Sequence, residues 1–242
     1  SKSKINFTDL IIDDEIENFI KNKIHLSTLL TFSKDIVTRI AIDEVTKEVD
    51  GNTVVSAKAL GKFVFENETR VYGDFNWAGL SATTAAESLI IEAIDFSLDQ
   101  TLIAGSYYQG NAISTGDFDF SLSSLKAKDA IGNTAFSLNN LQINAMSSVN
   151  KDLMEIKMNY SLDKLETAGQ QLEHANLDVA FKHLDINVMQ EASTFLAELS
   201  DDEVFSSANM NKLSALTTQL LENDPVIEIE DFSVVTPEGK IE

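Results

Sequence analysis

The sequence predicts an α+β protein that is mostly β: an extended, curved antiparallel meander of bulged strands, with one short N-terminal helix and a C-terminal helical pair packed on the sheet. Three observations predict this fold. Apolar and polar residues alternate with period two over much of the chain. An aromatic-Ser-Leu unit recurs in the middle of the sequence. The period changes to that of a helix near residue 187.

The first part of the chain, residues 1–186, is predicted to be mainly antiparallel sheet. Residues 5–12 are typical of a strand, and Asp13 is a candidate N-cap for a helix over residues 13–22. Three alternating segments follow it, over residues 26–32, 37–45 and 54–65. Asp50-Gly51-Asn52 separates the last two, and these residues favour a hairpin turn because Gly and Asn tolerate positive φ.

The aromatic-Ser-Leu unit begins at four positions that are 24, 16 and 24 residues apart: Phe96, Phe120, Phe136 and Tyr160. Within a unit the aromatic residue and the Leu share one face of a strand. In the last three units another Leu follows three positions later, which is the opposite parity. A β-bulge at a pair such as Asn139-Asn140 would restore all three side chains to one side. A strand that ends at those residues is the alternative.

These aromatic residues have two interpretations. The favoured one is that the units are ordinary strands whose apolar side chains fill a core while the Ser faces solvent. In the other, Phe96, Phe120, Phe136 and Tyr160 form an apolar-ligand face that lines an open groove. Whether these side chains fill a core or line an opening decides between two classes of function.

The helical period appears over residues 187–223, where Val188, Ala192, Phe195 and Leu199 fall on one helix face. Residues 200–203 match a capping box, and a second helix is predicted from about residue 207 to 223, before Pro225. Residues 224–242 are predicted to form a strand and the start of a further hairpin. We therefore expect one elongated domain over residues 1–242, which is a fragment of a longer protein.

Composition excludes several classes of protein. The chain has 39 acidic against 18 basic residues, a net charge of −21 that would repel a nucleic-acid backbone, so we expect no nucleic-acid partner. It has no cysteine, which removes disulfides and thiolate sites but suits the periplasm and the cytosol alike. No segment reaches the about 18 apolar residues of a spanning helix. The chain begins with Ser rather than Met, so we expect that an N-terminal segment has been removed.

Motifs for catalysis are weak. His25, His174 and His183 show no ligand spacing, and neither a P-loop nor a serine-hydrolase elbow is present. Two acidic pairs, Asp117/Asp119 and Glu228/Glu230, lie two residues apart, but a chain with 39 acidic residues contains such pairs by chance. We therefore predict no enzyme, no cofactor, and no catalytic, cofactor-binding or metal-ligating residues.

The end of the chain resembles a known family. Asn223-Asp-Pro225 follows a helix, and Thr236-Pro-Glu-Gly239 follows a strand, as in the YdgA-like family of bacterial proteins of unknown function; the stretch 183–185 before a helix is similar too. The resemblance implies a cell-envelope protein of a Gram-negative bacterium, with its body in the periplasm. It also implies tethering to the inner membrane by a segment absent from this chain.

Two functions are therefore predicted. The first is a non-catalytic binding or scaffolding role, in which the extended sheet meets a protein or envelope partner. The alternative is a carrier of lipid or another apolar ligand in a Phe/Leu-lined groove. A side-chain-filled interior would argue against the carrier, whereas a continuous apolar cleft would favour it.

Overall fold

The computed structural model describes residues 23–49, 51–84, 86–129, 131–167, 170–199 and 206–242. Within them the chain forms one open antiparallel sheet and two α-helices. The predicted strand over residues 5–12, the predicted helix over 13–22 and the capping box at 200–203 lie outside the described residues. The strands are β1 Ile24–Leu30, β2 Ile36–Ile42, β3 Val45–Val49, β4 Asn52–Ser56, β5 Ala59–Glu66, β6 Arg70–Thr83, β7 Ser88–Ala104, β8 Ile113–Lys128, β9 Thr134–Asn150, β10 Leu153–Thr167, β11 Gln170–Asp185, β12 Val226–Thr236 and β13 Gly239–Ile241.

The sheet is mainly a meander, which confirms the antiparallel prediction. Its order is β1-β2-β5-β6-β7-β8-β9-β10-β11-β12-β13, and the hairpin β3–β4 joins it through β4, which pairs with β6. Strands β7 to β11 are 15 to 17 residues long, so they form a wide central region. Period-two alternation favours this fold because residues two apart along a strand lie on the same face.

The single strand predicted over residues 54–65 is wrong, because the structure divides it into β4 and β5. Both pair with β6, which is long enough to accommodate them. The chain turns at Ala57, whose amide donates to the Gly79 carbonyl at 2.9 Å and whose carbonyl accepts from the Trp77 indole at 3.1 Å. The turn predicted at Gly51 is present, with φ of +80° in the β3–β4 connection.

One row of residues interrupts the central sheet. Strands β8, β9 and β10 continue through the positions after the aromatic-Ser-Leu units, so a strand end there is wrong. Asn140 has φ of +53°, and Ala93 and His174 on alternate strands are also left-handed. These residues have no ladder partner, nor have Ser123 and Asp163 between them.

The interruption differs from the predicted bulge. A bulge adds one residue to one strand and shifts the register. Here two paired strands leave out equal numbers of residues, two each between β9 and β10 and one each in the other pairs, so the register is the same on both sides of the row between β7 and β11. The side-chain amide of Asn140 donates to the Asp163 carboxylate, its neighbour in the row, at 2.7 Å. The irregularity therefore crosses several strands as a line.

Two helices follow β11: α1 Ile186–Ala197 and α2 Ser207–Leu221. Asp185 caps α1 by accepting hydrogen bonds from the amides of Asn187 and Val188 at 2.8 and 3.1 Å. The helical pair is confirmed, and α1 packs against β8 and β11 while α2 packs mainly against α1. Among the described residues, neither helix has the length and apolar character needed to cross a membrane.

Candidate functional site

A continuous row of aromatic and aliphatic side chains crosses the sheet. We call it the aromatic row. Each member pairs directly with the next across the ladder, so all of them lie on one face. From β6 to β12 the aromatic row consists of Phe75, Phe96, Phe120, Ile143, Tyr160, Leu177 and Phe232.

Rows two residues away continue the same surface, because side chains at i and i+2 share a face. One flanking row contains Trp77, Ile94, Leu122 and Leu141. The other contains Leu98, Phe118, Ala145, Met158, Val179 and Ile229. We call the aromatic row and these two rows the apolar face.

The apolar face is packed within itself and becomes more exposed toward β12. The Phe96 ring contacts Phe118 edge-on, with centroids 5.3 Å apart, and Phe63 at 5.9 Å. Phe96, Phe120 and Tyr160 are half-buried. At β12, however, Phe232 is 50% exposed and Ile229 is 65% exposed. No described element therefore covers this end of the face.

Helix α1 covers the continuation of the apolar face near the first residues of β8 and β10. A buried cluster of Ile113, Met154 and Ile186 packs there, and partly buried Ile156 and Met189 contact it. Ile156 lies two residues from Met158, so the cluster continues the apolar face. The amide of Asn111, which is buried, donates to the Thr194 hydroxyl in α1 at 3.0 Å. This cluster of buried side chains lies at one end of the sheet, while other buried apolar residues, such as Val64 and Leu122, lie singly elsewhere.

The structure brings together three of the four predicted ligand-face residues. Phe96, Phe120 and Tyr160 lie in the aromatic row. Phe136 does not, because it lies beyond the interrupted row and pairs with Ala127 and Thr167. Sequence reasoning missed several members of the face whose signal is simple alternation or cross-strand register, among them Phe75, Phe118, Ile143 and Leu177.

The opposite face is a ladder of carboxylates and amides. One row consists of Asp74, Ser97, Asp119, Asn144, Asn159, Asp178 and Asp231, which we call the polar row. Amide groups bridge its carboxylates: Asn144 donates to Asp119 at 2.6 Å, Asn159 donates to Asp178, and Asn176 donates to Asp231 at 2.8 Å. Each amide satisfies hydrogen bonding without neutralising charge, so the surface stays acidic.

Shallow depressions lie on this polar face. One, of about 450 Å³, is lined by side chains that include Asp117, Asp119, Lys157, Asp178 and Glu230. Another, of about 320 Å³, also includes the acidic pair Asp117/Asp119. Both are open and charged, so they differ from the enclosed apolar pockets that hold most small ligands.

Ion pairs link neighbouring strands on the polar face. Arg70 makes a bidentate contact with Asp99, at 2.7 and 2.5 Å, and this hydrogen bonding lowers the pKa of the Asp99 carboxyl below its usual value. On β11 and β12, Lys182 hydrogen-bonds to Glu228, which lowers the pKa of Glu228 and raises that of Lys182. Both pairs are at least partly exposed to solvent, so each contributes little to stability.

The histidines do not form a site. His174 and His183 are both on β11, nine residues apart, which is about 30 Å along a strand. His183 contacts the Asp224 carbonyl through Nδ1 at 3.1 Å, and His25 contacts Asp43 through Nε2 at 2.9 Å, which lowers the pKa of that carboxyl. Within the described ranges no group of three His, Cys, Asp or Glu side chains is placed to hold a metal ion.

Comparison with known proteins identifies a family. Residues 11–242 match the model of a family described as a bacterial protein of unknown function (DUF945). The match extends far beyond the C-terminal segment that carries the sequence resemblance. No curated protein and no solved structure matches the chain.

Proposed function

The chain belongs to the DUF945 family of bacterial proteins of unknown function, and we propose that it is a non-catalytic binding protein whose binding surface is the apolar face. The observation that supports this role is the openness of that face. Its aromatic row runs from β6 to β12, where Phe232 is half exposed. Large apolar surfaces left open on a protein commonly mark binding sites.

The dimensions of the face suit binding. Neighbouring strands lie about 4.8 Å apart, so the seven residues of the aromatic row span about 29 Å. Three rows spaced by two residues give a width of about 13 Å. The product, roughly 400 Å², matches the largest apolar patches of soluble proteins, which are often functional.

A protein or envelope partner is the favoured occupant. The described depressions are acidic and lie on the opposite face, while the apolar face is an open surface. An open surface suits a partner that brings its own apolar surface, since it does not enclose a small molecule.

A carrier of lipid is the second candidate, and the continuity of the aromatic row favours it. One leaflet of a bilayer core is about 15 Å thick, so a row of about 29 Å has room for an extended acyl chain. Half-buried Phe and Tyr rings would contact such a chain along its length.

We also propose that the protein acts in the periplasm of a Gram-negative bacterium and is anchored to the inner membrane. The resemblance of the C-terminal segment supports this location, and the family match agrees with a bacterial source. Because the chain has no cysteine, Ile131→Cys at an exposed loop gives a single label site. A membrane-impermeant maleimide should label that variant of the full protein in intact cells. Labelling only after lysis would contradict the periplasmic location.

The binding surface can be tested with two matched cysteine variants. Phe120→Cys places a thiol on the apolar face, and Ser121→Cys places one on the polar face at the next position. Both positions are half-buried, so without a partner the reagent should reach the two thiols to a similar extent. In protein purified from its own cells, a bound partner should slow maleimide labelling of Phe120→Cys and leave the labelling rate of Ser121→Cys unchanged. Denaturation and removal of the partner should abolish the difference.

Native mass spectrometry and organic extraction of the same material identify the occupant. A copurified protein without a small molecule supports the favoured role, and a copurified lipid supports the carrier. Slow labelling of Phe120→Cys in partner-free folded protein would mean that the chain itself covers the face, which would refute both.

A further inference from the structure

The outer edge of β12 is the most exposed part of the sheet that continues the apolar face. Strand β12 pairs with β11 along its length, but β13 pairs only with Val234–Thr236. Backbone groups on the outer side of residues 226–233 therefore have no strand partner among the described residues. Unpaired edges of this kind accept an added strand.

The two faces of this edge have opposite character. On the apolar face, Ile227 is 72% exposed, Ile229 is 65% exposed and Phe232 is 50% exposed. They pair across the ladder with Phe181, Val179 and Leu177, and so extend the apolar face to its border.

The polar side of the edge is acidic. Glu228 and Glu230 contact Lys182, and Glu230 also lies 3.6 Å from Lys157. Asp178 and Asp231 bond only to amides, which leaves their charges uncompensated. The depression that reaches Glu230 adds further carboxylates.

We propose that this edge binds an extended peptide segment of a partner protein, in which basic and apolar residues alternate. The peptide would add a strand to β12, with its basic side chains over the carboxylates and its apolar side chains continuing the apolar face. This inference rests on the proposed binding role and specifies the chemistry of the partner.

A second copy of this chain fits the edge poorly. Glu228, Glu230 and Asp231 share the polar side, so pairing two β12 edges would bring carboxylates opposite carboxylates. The ladder also shifts register between Asp178 and Val179, which leaves Glu230 unpaired. Such an irregularity opposes indiscriminate edge pairing.

The test uses a fluorescent eight-residue peptide of alternating Val and Lys, which matches the length of residues 226–233. Two control peptides separate the contributions of charge and of backbone pairing. One has Glu in place of Lys, and the other is the Val/Lys peptide with N-methyl groups on the backbone amides of both strand edges. Fluorescence anisotropy should show salt-sensitive binding of the first peptide and at least about tenfold weaker binding of both controls, because the binding uses charge and backbone pairing together.

Protein variants locate the peptide. Asp231→Asn should weaken binding about two- to fivefold and reduce its salt dependence, as expected for one partly exposed charge. Asp163→Asn, the same change on a distant part of the sheet, should leave binding unchanged. Equal binding of the N-methylated peptide, equal binding of the Glu peptide, or no binding of the Val/Lys peptide would overturn the inference.

Two further outcomes are decisive. If the protein alone dimerises and Ile229→Cys forms a disulfide between copies, the occupant is a second copy and the inference is wrong. If Phe120→Cys labelling contradicts the binding role of the apolar face while the Val/Lys peptide still binds at β12, the edge site stands and the proposed surface fails.

Discussion

Truncation of Phe120 distinguishes an open apolar face from a closed core. The side chain lies in the middle of the aromatic row, and its neighbours in the ladder are Phe96 and Ile143. It is half-buried, and full burial of a Phe is worth about 1.5–3 kcal/mol. We therefore expect Phe120→Ala to lower the free energy of unfolding by about 1–2 kcal/mol. A Phe enclosed on all sides would cost about 3–5 kcal/mol.

Urea unfolding followed by circular dichroism measures this difference, and the single Trp77 provides a second probe on the same face. Met154→Ala is the positive control, because Met154 is buried beneath α1 and its truncation should cost about 2–5 kcal/mol. Ser121→Ala, on the polar face, should change stability by less than about 0.5 kcal/mol. If Phe120→Ala costs as much as Met154→Ala, a second layer closes the face and the reasoning is refuted.

Three further predictions concern the stability of the sheet and of its contact with α1. Gly116→Ala should lower the free energy of unfolding in urea by more than about 2 kcal/mol, because φ is +136° and a Cβ would lie 1.9 Å from the Asp99 carbonyl oxygen. Gly132→Ala, at φ +86° in open space, should lower it by about 1 kcal/mol, and equal losses would contradict this prediction. Asp99→Asn should be less stable than the parent at pH 7, because Arg70 lowers the pKa of Asp99; this difference should shrink as the pH falls below about 4, and a pH-independent difference would contradict it. Asn111→Ala should cost about 1–3 kcal/mol and loosen α1, measured by hydrogen exchange of that helix, because it removes a buried donor to the helix.

Elements of the fold were predictable where one periodicity dominates. The long strands β7 to β10 follow period two on either side of one irregular position, and the two helices follow the helical period, so their existence can be derived from local pattern. The division at Ala57 could not be derived in this way. Residues 54–65 alternate throughout, and the break depends on contacts with Trp77 and Gly79 of a different strand.

Membership of the aromatic row was predictable only in part, because it depends on register. Phe120 and Phe136 begin identical sequence units, yet the β8–β9 pairing puts Phe136 opposite Ala127 and Phe120 opposite Ile143. A unit repeat in sequence therefore does not imply a common row. Register arises from the turns that join the strands, which the unit itself does not contain.

The step of three between Leu residues did indicate an irregular position. In β9 these residues are Leu138 and Leu141, and left-handed Asn140 lies between them. A bulge was the natural prediction for one strand taken alone. Register is preserved because the neighbouring strands carry their own unpaired residues, Ser123 and Asp163, at the same level. A line across a sheet depends on several strands together, so inspection of one segment cannot distinguish it from a bulge.

The alternation that builds the sheet also places apolar and acidic side chains on opposite faces. In Phe118-Asp119-Phe120 the two rings face one side and the carboxylate faces the other, and the pattern recurs across the ladder. The acidic face resists stacking against another copy of itself, because like charges would meet. The binding that we propose therefore uses the apolar face and the edge at β12. Under that proposal a partner would supply apolar surface to the first and basic groups to the second, so the alternation that folds the chain would also select its partners.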